Sequence, residues 1–236
     1  VSLLWWQEVV GRFRLGFTSL AAGNLAHHVG RGDAAANRRG LEDRLGLPPG
    51  TFRYLNQVHS TQVVDASLTE STVTGDAWVS PKGSDSLAIL VADCLPVLFW
   101  AAREDGTQLS AAAHAGRGGL LRGVLESTVR ALRHHGATHI TAWIGPGACA
   151  ECYEVPQEMF GQLTADRPAL ASSTRWGTPA LNLRAESRAV LEPLGVTVWD
   201  AAGCTIEDPD LFSHRGSKAS GAPEGRIAGL IWPAAL

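Results

Sequence analysis

Cysteine is scarce in this sequence, with four in 236 residues and no dense, even spacing among them, which excludes a disulfide scaffold. No Asn-x-Ser/Thr site is present either, and reduced thiols are left for metal binding or catalysis. Charge is also sparse. Asp, Glu, Lys and Arg make up 18% of the chain, below the roughly 25% of an average globular domain, while the apolar set reaches 45%, a balance that excludes disorder. The net charge of −3, with Lys and Arg scattered, offers no footprint for a nucleic-acid backbone or an anionic membrane. Small molecules are the expected partners. The longest apolar runs, residues 86–92 and 95–102, fall short of the ~18 residues that span a bilayer. The first ten residues carry neither a basic segment nor a small-residue cleavage site, so a cytoplasmic location is expected. Phosphate-loop, dinucleotide-fold, H-E-x-x-H and G-x-S-x-G signatures are missing.

What is present reads as one domain over residues 1–236, because the Gly/Pro-rich stretches are too short to be linkers. Asp33 is placed to cap a helix running to about Leu45, with Leu41 and Leu45 on one face and Gly46 and Pro48-Pro49 ending it. Residues 54–64, 87–91, 96–100 and 109–113 are short, apolar segments expected as strands. From Gly119 the period changes: Leu121, Val124, Leu125, Thr128 and Leu132 line one face of a helix that stops at His134, His135 and Gly136. Two histidines there suit the negative end of the helix dipole and read as capping groups rather than metal ligands. A strand at 140–144, helices from 156 and over 182–194, and strands at 196–199 and 227–232 complete a mixed α/β (α+β) pattern, with room for two sheets.

Three segments end an apolar strand with a metal-ligand residue: Asn56-Gln57-Val58-His59, Ala92-Asp93-Cys94-Leu95-Pro96 and Ala113-His114-Ala115-Gly116. Strand ends are where α/β scaffolds present functional side chains. Two imidazoles and a thiolate suit zinc, and three protein ligands leave a fourth tetrahedral position open, as in catalytic sites. The spacing itself is too long to be diagnostic, and each residue taken alone has an ordinary structural reading. Cys149-Ala150-Glu151-Cys152 is a lone C-x-x-C, a pattern used by redox pairs and by half of a zinc site. With no second C-x-x-C and no thioredoxin-like surroundings, it reads as structural.

The strings NQVHS, ADCLPVLF, AAAHAG, IGPGACAECYEV, GCT followed by DPDLFSHR, and the final Gly225-Arg226 before an apolar strand resemble the bacterial YfiH-like family, also called the laccase-domain or multicopper polyphenol oxidase family. The motifs are co-linear from Gly16 to Arg226. The resemblance implies a single domain of mixed β-sheets packed between helical layers, and a metal held by His59, Cys94 and His114, which are then also the catalytic residues. It implies zinc as the cofactor, with copper as the alternative, and purine nucleoside phosphorylase activity on inosine, adenosine or methylthioadenosine, with adenosine deamination as a second activity. Arg38, Asn56, Gln57, Asp93, Arg117 and Arg215 are the candidate contacts to purine nucleoside and phosphate, the three arginines being chosen for phosphate by guanidinium geometry. Three departures stand out: His114-Ala115-Gly116-Arg117-Gly118-Gly119 replaces the usual HAGWRG, Leu20 takes the place of an arginine, and Ser213-His214-Arg215-Gly216 replaces SYRR. Other readings are a cysteine- or zinc-dependent hydrolase editing peptidoglycan precursors, a copper-dependent polyphenol oxidase, and a pocket protein that has lost activity.

Overall fold

A computed structural model describes residues 1–30, 32–68 and 73–234. The first half carries strands β1 (Leu4–Val10) and β2 (Phe13–Thr18), helix α1 (Ala34–Arg44), then β3 (Phe52–Arg53), β4 (Val63–Asp65), β5 (Ala77–Ser80), β6 (Ser86–Val91), β7 (Leu95–Ala102) and β8 (Gln108–Ala115). Helices α2 (Arg117–Arg122) and α3 (Val124–His134) follow, then β9 (His139–Ile144) and α4 (Gln157–Asp166). The chain continues through β10 (Ala171–Ser173), β11 (Pro179–Leu181), α5 (Leu183–Leu191), β12 (Thr197–Asp200), α6 (His214–Ser220) and β13 (Ile227–Pro233).

The strands assemble into a five-stranded sheet, β1-β2-β13-β6-β3, a six-stranded sheet, β12-β9-β7-β8-β5-β4, and a β10-β11 hairpin. Side-chain alternation sorts each central strand between two apolar environments. In β6, Leu87, Ile89 and Val91 face the six-stranded sheet, where Leu98, Ala112 and Trp143 meet them. Ala88 and Leu90 face the opposite way, toward Leu41 of α1 and Leu25. In the six-stranded sheet, Val97, Phe99, Ala111 and Ala113 pack under Leu125, Val129 and Leu132 of α3 and Leu191 of α5. Two sheets thus lie face to face between helical layers, as the resemblance implied. Double-sided burial explains why these strands read as near-continuous apolar runs, each large aliphatic side chain contributing about 1.5–3 kcal/mol.

Helix α1 starts where expected: Asp33 accepts from the Ala36 amide at 3.0 Å. The periodic segment after Gly119 is two helices, because Gly123 adopts φ +96° and closes α2 before α3 begins. Of the strand expected over 54–64, only Val63 and Val64 join a sheet, as the start of β4. Residues 58–60 turn away because their amides bond to the carboxylate of Asp76 instead of a neighbouring strand.

Candidate metal centre

The chain passes from one sheet to the other between β6 and β7 through Ala92, Asp93 and Cys94. So short a crossover bends sharply, and Asp93 takes φ +79°, a left-handed conformation that costs a non-glycine residue on the order of 1–3 kcal/mol. Its carboxylate holds the bend: Oδ1 accepts from Thr205 Oγ1 at 2.8 Å and Ser213 Oγ at 2.7 Å, and Oδ2 from the Arg215 amide at 2.7 Å. The crossover carries Cys94 to the common edge of both sheets. His114, on the same face of β8 as Ala112, reaches that edge from the six-stranded sheet.

His59 arrives on a loop and is the other non-glycine residue with positive φ, +59°. Asp76, fully buried just before β5, stabilises it. The Asp76 carboxylate accepts from the amides of His59 at 2.9 Å and Ser60 at 2.5 Å, from Ser60 Oγ at 2.7 Å, and from His114 Nδ1 at 2.8 Å. One carboxylate therefore positions two of the three ligand residues. A carboxylate is acceptor only, so His114 carries its proton on Nδ1 and presents Nε2 to the centre. Burial opposes ionisation of Asp76, but the bonds from His114 and Ser60 outweigh it and bring the carboxyl down to about 2. The guanidinium of Arg122 caps the His59 carbonyl from α2.

The ligand atoms of His59, Cys94 and His114 all lie within 4.8 Å of one another. Cys94 Sγ is 3.7 Å from His59 Nε2, and the two imidazole centroids are 4.6 Å apart. Burial raises the Cys94 thiol and lowers the His114 imidazole, yet their mutual attraction, joined by His59 at the thiol and Asp76 at the imidazole, outweighs it: the thiol is drawn down and the imidazole up. Gly116 is required here by close approach. A Cβ on it would stand 2.5 Å from His59 Cδ2 and 2.9 Å from Cys94 Sγ, filling the space where these two side chains meet. His59 is exposed and His114 buried, so the arrangement suits a metal ion open to solvent on one side.

Beside the three ligands lies a cavity of about 300 Å³, within the range of small-molecule sites, lined also by Arg38, Asn56 and Gln57. The Arg38 guanidinium stacks on Tyr54 at 3.7 Å and donates from Nε to the Leu25 carbonyl. The Tyr54 hydroxyl is buried with no partner among the described residues. Asn56 bonds to Thr74 Oγ1, and Gln57 exchanges two hydrogen bonds with the Leu90 backbone, which ties the loop to β6. Asp93 lies outside the lining, turned toward Thr205 and Ser213. Arg117 and Arg215 also lie outside it and converge on Tyr153: Arg117 Nη1 is 3.4 Å from the hydroxyl, and the Arg215 guanidinium is 4.7 Å from the ring centroid. Sequence reasoning missed Asp76, Tyr54 and the cavity-lining His27, His28 and Arg226. Only Arg226 carried a signal, as the arginine of the last motif.

Among known proteins, a purine nucleoside phosphorylase of Streptomyces coelicolor is 42% identical over 219 residues, covering 89% of this chain and 87% of its own. Another, from Corynebacterium glutamicum, is 37% identical over 224 residues, covering 90% and 87%. The crystal structure of a Neisseria meningitidis protein of the DUF152 family superposes with a TM-score of 0.80 at 31% identity, covering 98% and 99% of the two chains. Bacillus licheniformis YfiH, at 22% identity and a TM-score of 0.78 over 94% and 92%, shares the fold. The profile of the multi-copper polyphenol oxidoreductase laccase family matches residues 14–234, and the chain belongs to that family.

Proposed function

We propose that the chain, as a single catalytic domain over residues 1–236, is a zinc-dependent purine nucleoside phosphorylase working at His59, Cys94 and His114. The convergence of those three ligand atoms within 4.8 Å, at the edge of a cavity with an arginine in its wall, carries this reading. The names of the relatives support it. Two imidazoles and one thiolate are borderline-soft donors that favour zinc. A zinc ion held by His59, Cys94 and His114 would supply Lewis acidity to the reaction.

The reaction breaks the C1′–N9 bond of a nucleoside such as inosine, joins a phosphate oxygen to C1′, and leaves the proton of hydrogen phosphate on the purine ring. Arg38 keeps its terminal nitrogens unengaged by the described residues and is fixed by Tyr54 and Leu25, which fits it to hold an anion in the cavity wall. The unpartnered Tyr54 hydroxyl offers a hydrogen bond to a ribose or purine polar atom. Arg117 and Arg215, gathered around the half-buried Tyr153, supply further positive charge; burial first, and then the charge of Cys94, raises the Tyr153 phenol against the pull of the two arginines. Adenosine deamination at the same centre is the second activity of this reading, and it requires no phosphate. Incubation of zinc-loaded protein with inosine, with and without phosphate, tests the reading by chromatography. Hypoxanthine and ribose 1-phosphate are expected only with phosphate, and Arg38→Ala is expected to depress phosphorolysis more than deamination. Base release that ignores phosphate and survives Cys94→Ala would overturn it.

A further inference from the structure

A second group of metal-ligating atoms lies on the far side of the Asp93 bend. Cys149 and Cys152 sit on the turn after β9, and Cys204 and Glu207 on the turn after β12. Their three sulphurs and a carboxylate oxygen all lie within 4.8 Å of one another. Four thiolate or carboxylate donors around zinc at a Zn–S distance of ~2.3 Å place neighbouring sulphurs ~3.8 Å apart, so only a small contraction of this group closes a tetrahedron.

The backbone is built for it. Each turn presents two donors separated by two residues, Cys149-x-x-Cys152 and Cys204-x-x-Glu207, the short spacing used by structural zinc sites. The two turns share a hydrogen-bond pattern: the Cys149 carbonyl accepts from the amides of Cys152 and Tyr153, and the Cys204 carbonyl from those of Glu207 and Asp208. Gly147 bonds to Gly203, and Thr205 to Gly147, locking one turn beside the other. The Cys149 amide points at Cys204 Sγ from 3.4 Å, an N–H···S contact that favours thiolate. Three thiolates and a carboxylate around a dication leave a doubly negative cluster, and Arg175, 3.9 Å from Cys152 Sγ and paired with Glu207, offsets half of that charge.

We propose that Cys149, Cys152, Cys204 and Glu207 hold a second, structural zinc ion that clasps the two turns together. All four coordination positions are filled by protein, so this metal does no chemistry on substrate. Its mechanical role follows from Thr205, the residue after Cys204, which hydrogen-bonds the Asp93 carboxylate beside Cys94. The clasp braces the bend that presents the thiol of the first centre.

Reduced protein reconstituted with zinc and freed of loosely bound metal is expected to hold two equivalents per chain. Cys204→Ser and Cys94→Ala are each expected to hold one. Because Cys204→Ser has the potential to misfold, cobalt(II) added to Cys94→Ala provides an independent readout. That variant lacks the only thiol of the first centre, so a thiolate-to-cobalt charge-transfer band with tetrahedral visible bands reports the second. Wild-type protein that binds a single equivalent overturns the proposal, as does cobalt in Cys94→Ala showing no charge transfer. A Cys149–Cys152 disulfide persisting in reduced, zinc-reconstituted protein, seen as a two-hydrogen mass deficit, also overturns it.

Discussion

Replacing Asp76 by alanine removes one carboxylate and strands donors on both sides of the metal centre. The His114 Nδ1–H is buried and loses its acceptor outright, a cost of about 1–3 kcal/mol. The amides of His59 and Ser60 sit on a partly exposed loop and recover water, so each loses nearer 1 kcal/mol. Together the loss is ~3–5 kcal/mol, the range for breaking a buried charged pair. For a chain of this length that lowers the melting temperature by roughly 6–20 °C. Metal affinity falls as well, by about 10–100-fold, because both histidines lose the group that orients them. Thermal unfolding of metal-free protein measures the first effect, and competition with a calibrated chelator the second. Asp76→Asn is the matched control: it keeps the volume and one acceptor oxygen but turns an amide toward a donor, and is expected to fall between wild type and alanine. Wild-type melting and metal affinity in Asp76→Ala would refute the argument that one carboxylate positions both ligands.

Gly116→Ala is expected to bind metal at least tenfold more weakly, because the new methyl occupies the space between His59 and Cys94; unchanged binding in a chelator titration would sink that reading. His114→Ala should lose the metal of the first centre, as elemental analysis of purified protein will show; full metal content in that variant excludes His114 as a ligand. Asp93→Asn tolerates the left-handed backbone but opposes its amide to the Arg215 N–H, so a loss of about 1–3 kcal/mol is expected in denaturant unfolding, with no loss counting against the bracing role. Glu224 is held below its ordinary value of 4.5, first by its hydrogen bond with His214. Its contribution is therefore complete above that value and is lost as pH falls through the lower native one. Glu224→Gln should flatten that acid-side slope of stability, and an unaltered slope would show that the pair contributes nothing.

Much of this architecture is legible in the sequence where burial is regular. Helix α3 announces itself through Val124, Leu125, Thr128 and Leu132, all buried, and β6, β7 and β13 through apolar runs that two-sided packing demands. The residues 54–62 look like strand because local pattern carries no record of Asp76, whose carboxylate draws three consecutive amides out of any ladder. The Asp76 carboxylate has no local signature, since all its hydrogen-bond partners lie 16 or more residues away in sequence. Cys149 and Cys204 are hidden for a related reason. They meet only because β9 and β12 are parallel neighbours whose C-terminal ends emerge side by side, a pairing that short-range periodicity does not encode. His59, Cys94 and His114 were legible as candidate ligands through motif resemblance, and the fold brings their ligand atoms within 4.8 Å of one another, whereas the cavity wall of Tyr54, His27 and His28 depends on how the 54–62 loop lies across β6.

The two left-handed residues, His59 and Asp93, have a consequence for how the centre is loaded. Both awkward backbone conformations are secured by hydrogen bonds within the protein, from the His59 amide to Asp76 and from Thr205 and Ser213 to Asp93, so the geometry of the mouth is settled while the chain folds. An ion arriving later meets ligands already in register and has no loop to organise. Capture then resembles filling a socket rather than nucleating a structure, and metal exchange becomes a matter of ligand-atom kinetics alone. If His59, Cys94 and His114 hold an ion as proposed, protein starved of metal would keep the shape of its site and regain the ion without refolding.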